Sequence, residues 1–246
     1  MPAENFILFG KSHLLTLVLL TFIGFFIIRK LEQLSPPLSV QRWHPRFGFL
    51  ALLNGVIWRM LLVEIGDFHP EQDLPFHVCS LSTFLLAIYF WFPRQKLFDV
   101  LFYWIMTGSV LGFFIPDLEM PFPHVRFFAM FISHGLLIFF MVYLYRVQGL
   151  RPSPTGYQTA FGVLTTYALG FVLPFNLLSG GNYLFALEPP DVDFVLVQFL
   201  PPWPWYIPVL LGFFYLAFYS LHRAIFRQDR RYQQEHRHAK SETIHH

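Results

Sequence analysis

Long apolar blocks dominate this sequence of 246 residues and limit what it can fold into. A membrane-spanning helix needs about 20 consecutive, mostly apolar residues, and only 13% of the residues here are charged, against about 25% in soluble domains. The sequence therefore predicts an all-α integral membrane protein, a polytopic helical bundle that forms one domain over residues 1–228. We expect seven spans, at residues 12–31, 47–66, 74–92, 97–114, 125–146, 156–176 and 205–227.

The first apolar stretch and the last 18 residues differ in composition and are interpreted separately. Arg29 and Lys30 follow the first apolar stretch instead of preceding it, so this stretch is expected to be a span and not a cleaved signal peptide. Residues 229–246 are polar, and we expect them to form a loosely structured tail.

The charges of the loops predict the orientation in the membrane. Of the 17 Lys and Arg residues, 14 lie beside alternate loops or in the C-terminal tail, whereas acidic residues occupy the other loops. By the positive-inside rule, the N-terminus is outside and the C-terminus is cytoplasmic. We expect a bacterial cytoplasmic membrane as the location and membrane lipids as partners. The net charge of +2 is spread over short loops and indicates no nucleic-acid partner.

Polar residues are concentrated in the outer half of the predicted spans. Such residues are costly in lipid and usually functional, whereas the inner half carries little besides Asn54 and Asp99. The pattern predicts a polar pocket that opens to the outer side of the membrane. Its candidate residues are Arg59, His77, Cys79, Ser80, His134 and Asn176, with Asn182 and Tyr183 in the long loop that follows.

The single cysteine suggests nucleophilic chemistry in this pocket. A thiol becomes reactive when a neighbouring imidazole takes its proton. A helix over residues 74–92 would rotate Cys79 by about 200° from His77, so His134 on another span is the better candidate base. A lone cysteine also excludes an intramolecular disulfide.

Other interpretations of these residues remain open. Cys79 is equally compatible with simple packing, and Gly108 and Gly112 form a GxxxG pattern typical of close helix contacts. A metal site is a further alternative, although no metal-binding spacing supports it and no cofactor is expected. Such a site would combine His77 and His134 with Asp117 or Glu119.

Several motifs resemble the YwaF-like membrane proteins of the TMEM164 family. They are LPFHVCS at 74–80, IPD at 115–117, FPHVRF at 122–127, SHG at 133–135, NLLSGGNYLF at 176–185 and PPWPWY at 201–206. The resemblance implies a polytopic helical fold and a transacylase that moves acyl chains between glycerophospholipids with a cysteine and a histidine. The histidine corresponds to His134. The cysteine of the eukaryotic members corresponds to Phe76, one helical turn before Cys79.

The residues and the resemblance together predict a lipid-acting enzyme, either an acyltransferase or an ester hydrolase. Cys79 would attack the ester, and His134 would act as base. Arg59 or His124 would hold a phosphate, and Asn176 or His77 would polarise the oxyanion. The alternative is a non-catalytic lipid-binding or small-molecule-binding membrane protein, or a transporter.

Overall fold

The chain is mostly helical in the part that the computed structural model describes, which comprises residues 5–34, 42–190, 192 and 195–244. No β-strand occurs among these residues. Short helical turns lie at Pro70–Asp73, Tyr183–Phe185 and Val195–Phe199. The long helices are α1 (Lys11–Gln33), α2 (His44–Glu64), α3 (Val78–Trp91), α4 (Gln95–Phe114), α5 (Val125–Val147), α6 (Gly156–Ser179) and α7 (Tyr206–Ile244).

The helices correspond to the predicted spans. Six of them are long and apolar enough to cross a membrane, and α3 is a shorter apolar helix of 14 residues. Each predicted span coincides with one helix, so the all-α, membrane-spanning fold is confirmed. The predicted span at residues 97–114, which contains Asp99, corresponds to helix α4.

Helix α3 begins later than predicted, and this changes the geometry of its first residues. Leu74 and His77 have extended backbone angles, and His77 is the N-cap that precedes the helix. Pro75 favours this arrangement because a proline disfavours helical backbone in the residue before it. The prediction that His77 and Cys79 lie about 200° apart on one helix is therefore wrong.

Helix α7 extends well beyond the predicted end of its span. It continues to Ile244, so the segment expected to be a loose tail is helical through residue 244, and residues 245–246 lie outside the described residues. After Gly212 the sequence has no Gly or Pro, and it becomes rich in Arg, Gln, Glu and Ala. These residue types favour a helix even in water.

Helix α4 lies at the centre of the bundle. About 56% of its apolar stretch is buried, against 11% for α1 and α7. It contacts α3, α5, α6 and α7, while α2 packs along α3. Leu101, Trp104 and Ile105 of α4 are almost completely inaccessible. The outer helices thus expose apolar side chains as a lipid-facing surface.

Polar side chains connect the helices inside this apolar packing. The Nδ2 of Asn54 in α2 donates to the Oγ of Ser133 in α5 at 3.1 Å. The indole of Trp104 donates to the carbonyl of Ala160 at 3.1 Å, which joins α4 to α6. Such bonds stabilise contacts between membrane helices, where the solvent offers no competing partner. The first of them fixes α5 immediately beside His134.

Seven crossings would place the two ends of the chain on opposite sides of the membrane, and the loop charges predict which side is which. A C-terminal green fluorescent protein fusion should fluoresce in cells, whereas a C-terminal alkaline phosphatase fusion should be inactive. A phosphatase fused after Glu119, between α4 and α5, is the matched control and should be active. The reverse pattern would contradict the orientation.

Candidate functional site

A thiol and an imidazole meet where α3 packs near α5. Cys79 lies in the first turn of α3, and His134 lies about nine residues into α5. Their side chains lie close enough for each to act electrostatically on the other. Both residues are partly buried, so neither is sealed inside the core. The structure thus places Cys79 near His134.

The backbone of α5 determines which nitrogen of His134 carries a proton. Its Nδ1 lies 2.8 Å from the carbonyl oxygen of Met130. A carbonyl can only accept, so Nδ1 is the donor in this hydrogen bond. In the neutral ring Nε2 then holds the lone pair. His134 is therefore able to accept the proton of the Cys79 thiol.

Helix α4 completes this arrangement with two small residues. A Cβ at Gly112 would lie 2.8 Å from the Nε2 of His134, so glycine is what leaves room for the ring. Ser109 is fully buried, and its hydroxyl has no hydrogen-bond partner among the described residues. It lies close enough to Cys79 to act on the thiol. It ends the π-helical segment Ile105–Ser109, a feature frequent at functional sites. We call Cys79, His134 and Ser109 the thiol site.

Sequence reasoning did not identify Ser109. A serine beside a GxxxG pattern has no distinguishing signal, because small polar residues are common at packed helix interfaces. Gly112 was interpreted only as a close-packing residue, and the structure gives it the additional effect of admitting the His134 ring.

His77 lies next to the thiol site with the opposite hydrogen-bonding pattern. It is close enough to His134 and Arg59 for their charges to act on it. Its Nδ1 accepts a hydrogen bond from the backbone N–H of Leu184 at 3.4 Å. An accepting nitrogen is unprotonated, so the neutral ring carries its proton on Nε2. His77 is therefore a donor at Nε2, where His134 is an acceptor.

Arg59 lines a groove of about 410 Å³ beside the C-terminal half of α2. Its Nε donates to the carbonyl of Asp73 at 2.8 Å, and its Nη1 donates to that of Gly55 at 2.6 Å. The guanidinium lies 5.6 Å from the centre of the Phe84 ring. Both hydrogen bonds go to carbonyl groups, which do not neutralise the charge of Arg59. The remaining lining of the groove is mostly apolar: Val56, Met60, Val63, Glu64 and Phe68.

An ion-pair network fastens the segment before α3 to the start of α5, and we call it the outer clamp. The Nε of Arg126 lies 2.8 Å from a carboxylate oxygen of Asp67, and its Nη1 lies 2.8 Å from one of Asp73. The three side chains are only 10–28% exposed. Sequence reasoning missed Arg126, although a single arginine facing an acid-rich loop was an available signal.

His124, predicted as a phosphate ligand, lies within this clamp. It is the N-cap of α5, and its Nδ1 accepts a hydrogen bond from the N–H of Arg126 at 3.2 Å. The ring therefore serves the helix terminus, where an unsatisfied N–H group needs an acceptor.

The clamp determines the charge state of Asp67. Burial alone would raise the pKa of this carboxyl group, but the hydrogen bond and the positive charge of Arg126 outweigh it and lower the pKa below its ordinary value. The nearby rings of His124 and His69 act in the same direction.

Asn176 and Tyr183 hold each other through the backbone. Asn176 is fully buried; its Nδ2 donates to the carbonyl of Tyr183 at 2.8 Å, and its Oδ1 accepts from the Tyr183 N–H at 3.0 Å. The Tyr183 hydroxyl accepts from the N–H of Leu74 at 3.0 Å and donates to the carbonyl of Pro70. The pair therefore fixes the long loop against the segment before α3.

The remaining predicted residues have other surroundings. The Oδ1 of Asn182 accepts from the N–H groups of Leu187 and Glu188, at 3.0 and 3.1 Å, which shapes the long loop itself. Ser80 follows Cys79 in α3 and is partly buried. Among the described residues, no group of three or more His, Cys, Asp or Glu side chains could hold a metal ion, so the alternative metal site does not assemble there.

The comparison with protein families covers almost all of this architecture. The model of the TMEM164 family matches residues 8–222, from the start of α1 to the inner part of α7. The chain belongs to the TMEM164 family. The resemblance drawn from the sequence motifs is confirmed, and the thiol site and the outer clamp lie within the matched region.

One curated relative is an uncharacterized protein of Treponema pallidum (strain Nichols). It is 27% identical over 150 residues, which is 57% of this chain and 53% of the relative. The chain thus matches about half the length of that protein. No solved structure matches the chain.

Replacing Gly112 by Ala should displace the His134 ring and slow the alkylation of Cys79. The new Cβ would clash with Nε2, and displacement of a neighbouring base should reduce the rate at least about tenfold. The measurement is alkylation by iodoacetamide at pH 7, which reports on one residue because Cys79 is the only cysteine. Gly108→Ala is the control, since a Cβ there meets nothing within 4 Å. Equal rates in both variants would contradict the geometry.

Replacing Arg126 by Gln should destabilise the protein by about 2–3 kcal/mol, because it leaves two partly buried carboxylates without their partner. Thermal unfolding in detergent would measure this. Arg146→Gln is the control: Arg146 is 56% exposed in its ion pair with Glu32, so its loss should cost under about 1 kcal/mol.

The same clamp predicts a pH dependence. The pKa of Asp67 is lower in the folded state than its ordinary value of 3.8. The contribution of this carboxylate to the free energy of unfolding is therefore fully present above pH 3.8, and it is lost as the pH falls through the folded-state pKa. Acid should therefore reduce the difference in stability between the wild type and Arg126→Gln. An unchanged difference down to pH 3 would exclude the clamp as its source.

Proposed function

We propose that this protein is a membrane enzyme that transfers or hydrolyses acyl groups of glycerophospholipids through a thioester on Cys79. The observation that carries the proposal is the contact between the Cys79 thiol and the His134 imidazole, whose Nδ1 is committed to the Met130 carbonyl. A nucleophile paired with a base that a third group orients is the usual arrangement for covalent acyl transfer.

The first half of the reaction forms the thioester. The Nε2 of His134 takes the proton of the Cys79 thiol, and the sulfur attacks the carbonyl carbon of a lipid ester. As the tetrahedral intermediate collapses, the acyl C–O bond breaks. The proton on Nε2 passes to the leaving oxygen, so the lysolipid departs as an alcohol.

The second half returns the enzyme to its starting state. The hydroxyl of a second lysolipid, or water, gives its proton to the Nε2 of His134 and attacks the thioester carbonyl. The S–C bond breaks, and the proton returns to the sulfur of Cys79. A lysolipid acceptor makes the reaction a transacylation, and water makes it a hydrolysis.

His77 and Ser109 are suited to support the charges that develop. A hydrogen-bond donor aimed at the forming oxyanion is one of the strongest contributions to acyl transfer, and the Nε2–H of His77 is such a donor beside the thiol site. The Ser109 hydroxyl lies beside the sulfur and would donate to the thiolate. The amide of Asn176 does not serve as an oxyanion donor in this mechanism, because it is hydrogen-bonded to the Tyr183 backbone.

Arg59 is the proposed phosphate ligand. Its charge is not neutralised by its two carbonyl partners, and the groove beside it has apolar walls suited to an acyl chain. A guanidinium is well matched to a phosphate. With the N-terminus outside, this groove opens toward the outer leaflet of a bacterial cytoplasmic membrane, which is the location that we propose.

The position of the nucleophile differs from the position that the eukaryotic resemblance implies. Phe76 occupies the aligned position, and its ring packs on Phe171 and Phe175 of α6, at 5.2 and 4.9 Å between ring centres. Cys79, three residues later in the first turn of α3, is the residue near His134. We therefore propose that the reactive thiol has moved by three residues in this chain.

A transporter or a non-catalytic lipid-binding protein would use the same outer pocket. A transporter needs a broken helix near the midplane and a polar path to the inner side. Helices α4 and α6 continue through their π-helical segments. On the inner side, the carboxylate of Asp99 is 2% exposed and bound to the N–H and hydroxyl of Ser153, at 2.9 and 2.6 Å. These features favour the enzyme.

Intact-mass spectrometry of the protein incubated with mixed phospholipids tests the proposal. The wild type should carry an acyl mass that hydroxylamine removes. Cys79→Ala should carry none, and His134→Ala should acquire it at least about 100-fold more slowly. Ser82→Ala is the control, because Ser82 is a buried hydroxyl of the same helix without a hydrogen-bond partner in the described structure. Lipid that co-purifies with every variant, with no covalent adduct on any, would support the binding protein instead.

A further inference from the structure

His77 is held by the long loop between α6 and α7 in an unusual way. Its ring packs against those of Tyr183 and Phe185, at 5.1 and 5.6 Å between ring centres. The N–H of Leu184, the residue between these two in the sequence, donates to Nδ1. Three consecutive loop residues thus contact one imidazole ring.

The backbone of this loop adopts a conformation that non-glycine residues rarely take. Leu184 and Phe185 have φ angles of 57° and 54°, in the left-handed region. Such a conformation persists only where surrounding contacts enforce it, and it occurs preferentially at functional sites. Here its result is that the Leu184 N–H faces the ring of His77.

Asn176 supplies the enforcing contact from α6. Its amide binds both the N–H and the carbonyl of Tyr183, immediately before the left-handed pair. The Tyr183 hydroxyl is fixed in turn to the backbone of Pro70 and Leu74, just before His77. The loop residue and the segment that carries His77 are therefore held together at two points.

We infer that Asn176 is a positioning residue: through Tyr183 and Leu184 it keeps His77 in the tautomer with the proton on Nε2. Without the Leu184 N–H at Nδ1, either ring nitrogen could carry the proton, and the Nε2–H donor would be present only part of the time. The role in acyl transfer rests on the proposed function, whereas the tautomer itself does not.

Nitrogen NMR of ¹⁵N-histidine-labelled protein in phospholipid nanodiscs measures the tautomer directly. The signals of His77 are assigned by their loss in His77→Gln, which separates them from the other ten histidines. In the wild type, the proton should reside on Nε2. In Asn176→Ala, the signals should shift toward a mixture of the two tautomers, and acylation of Cys79 should slow by about tenfold, less than for complete loss of an oxyanion donor.

Asn182→Ala is the matched control. Asn182 is another amide of the same loop region, but its side chain binds Leu187 and Glu188 and not Tyr183. It should leave the His77 tautomer unchanged. If Asn176→Ala does not fold, the near-isosteric Asn176→Asp replaces it: the carboxylate can accept from the Tyr183 N–H but cannot donate to its carbonyl, so a partial shift is expected.

The outcomes separate this inference from the proposed function. An unchanged His77 tautomer in both Asn176 variants would overturn the inference, even if the wild type forms the thioester. A shifted tautomer in a protein that forms no acyl adduct would uphold the positioning role and reject the enzyme. A shifted tautomer with normal acylation would show that the Nε2–H of His77 does not assist the reaction, and would overturn that part.

Discussion

A polar atom that a helix carries into the apolar layer is costly unless it has a partner within the protein, because lipid offers none. This requirement accounts for the way α2, α3 and α5 are placed. Asn54 of α2 binds Ser133 of α5, the residue just before His134. His134 itself binds a carbonyl of its own helix through one nitrogen. The other nitrogen is left as an acceptor, and in the proposed reaction it takes the proton of the Cys79 thiol.

The same requirement concentrates on the short segment of residues 70–77 before α3. Asp73 accepts from Arg126 through its side chain and from Arg59 through its carbonyl. The Tyr183 hydroxyl binds Pro70 and Leu74. Contacts from α2, α5 and the long loop therefore meet on this one segment, which leads directly into the first turn of α3 and Cys79.

The sequence was sufficient for the helices, because each apolar block has to be about as long as the bilayer is thick. The catalytic pairing of Cys79 with His134 stays a prediction, and the structure places the two side chains near each other. The sequence was not sufficient for His77 or Asn176. The helix begins only after His77, and residue type alone does not reveal whether a buried amide such as Asn176 binds a ligand or backbone.

The residues that sequence reasoning missed were missed for the same physical reason. Arg126 and Ser109 derive their importance from partners more than 29 residues away in the chain. Such partners are visible only once the helices are packed. Apolar periodicity identifies which segments are buried, but it does not predict which polar atoms of different segments come into contact. The outer clamp combines residues of two separate segments and therefore needed the structure.

The two histidines beside Cys79 have different surroundings, and in the proposed reaction this fixes their roles. A carbonyl faces Nδ1 of His134, and a backbone N–H faces Nδ1 of His77. The first contact makes Nε2 an acceptor and the second makes it a donor. His77 is nearer to Cys79 in the sequence, yet it is the ring that cannot take the thiol proton through Nε2. The division between base and oxyanion donor is thus determined by two backbone groups, one in α5 and one in the strained loop.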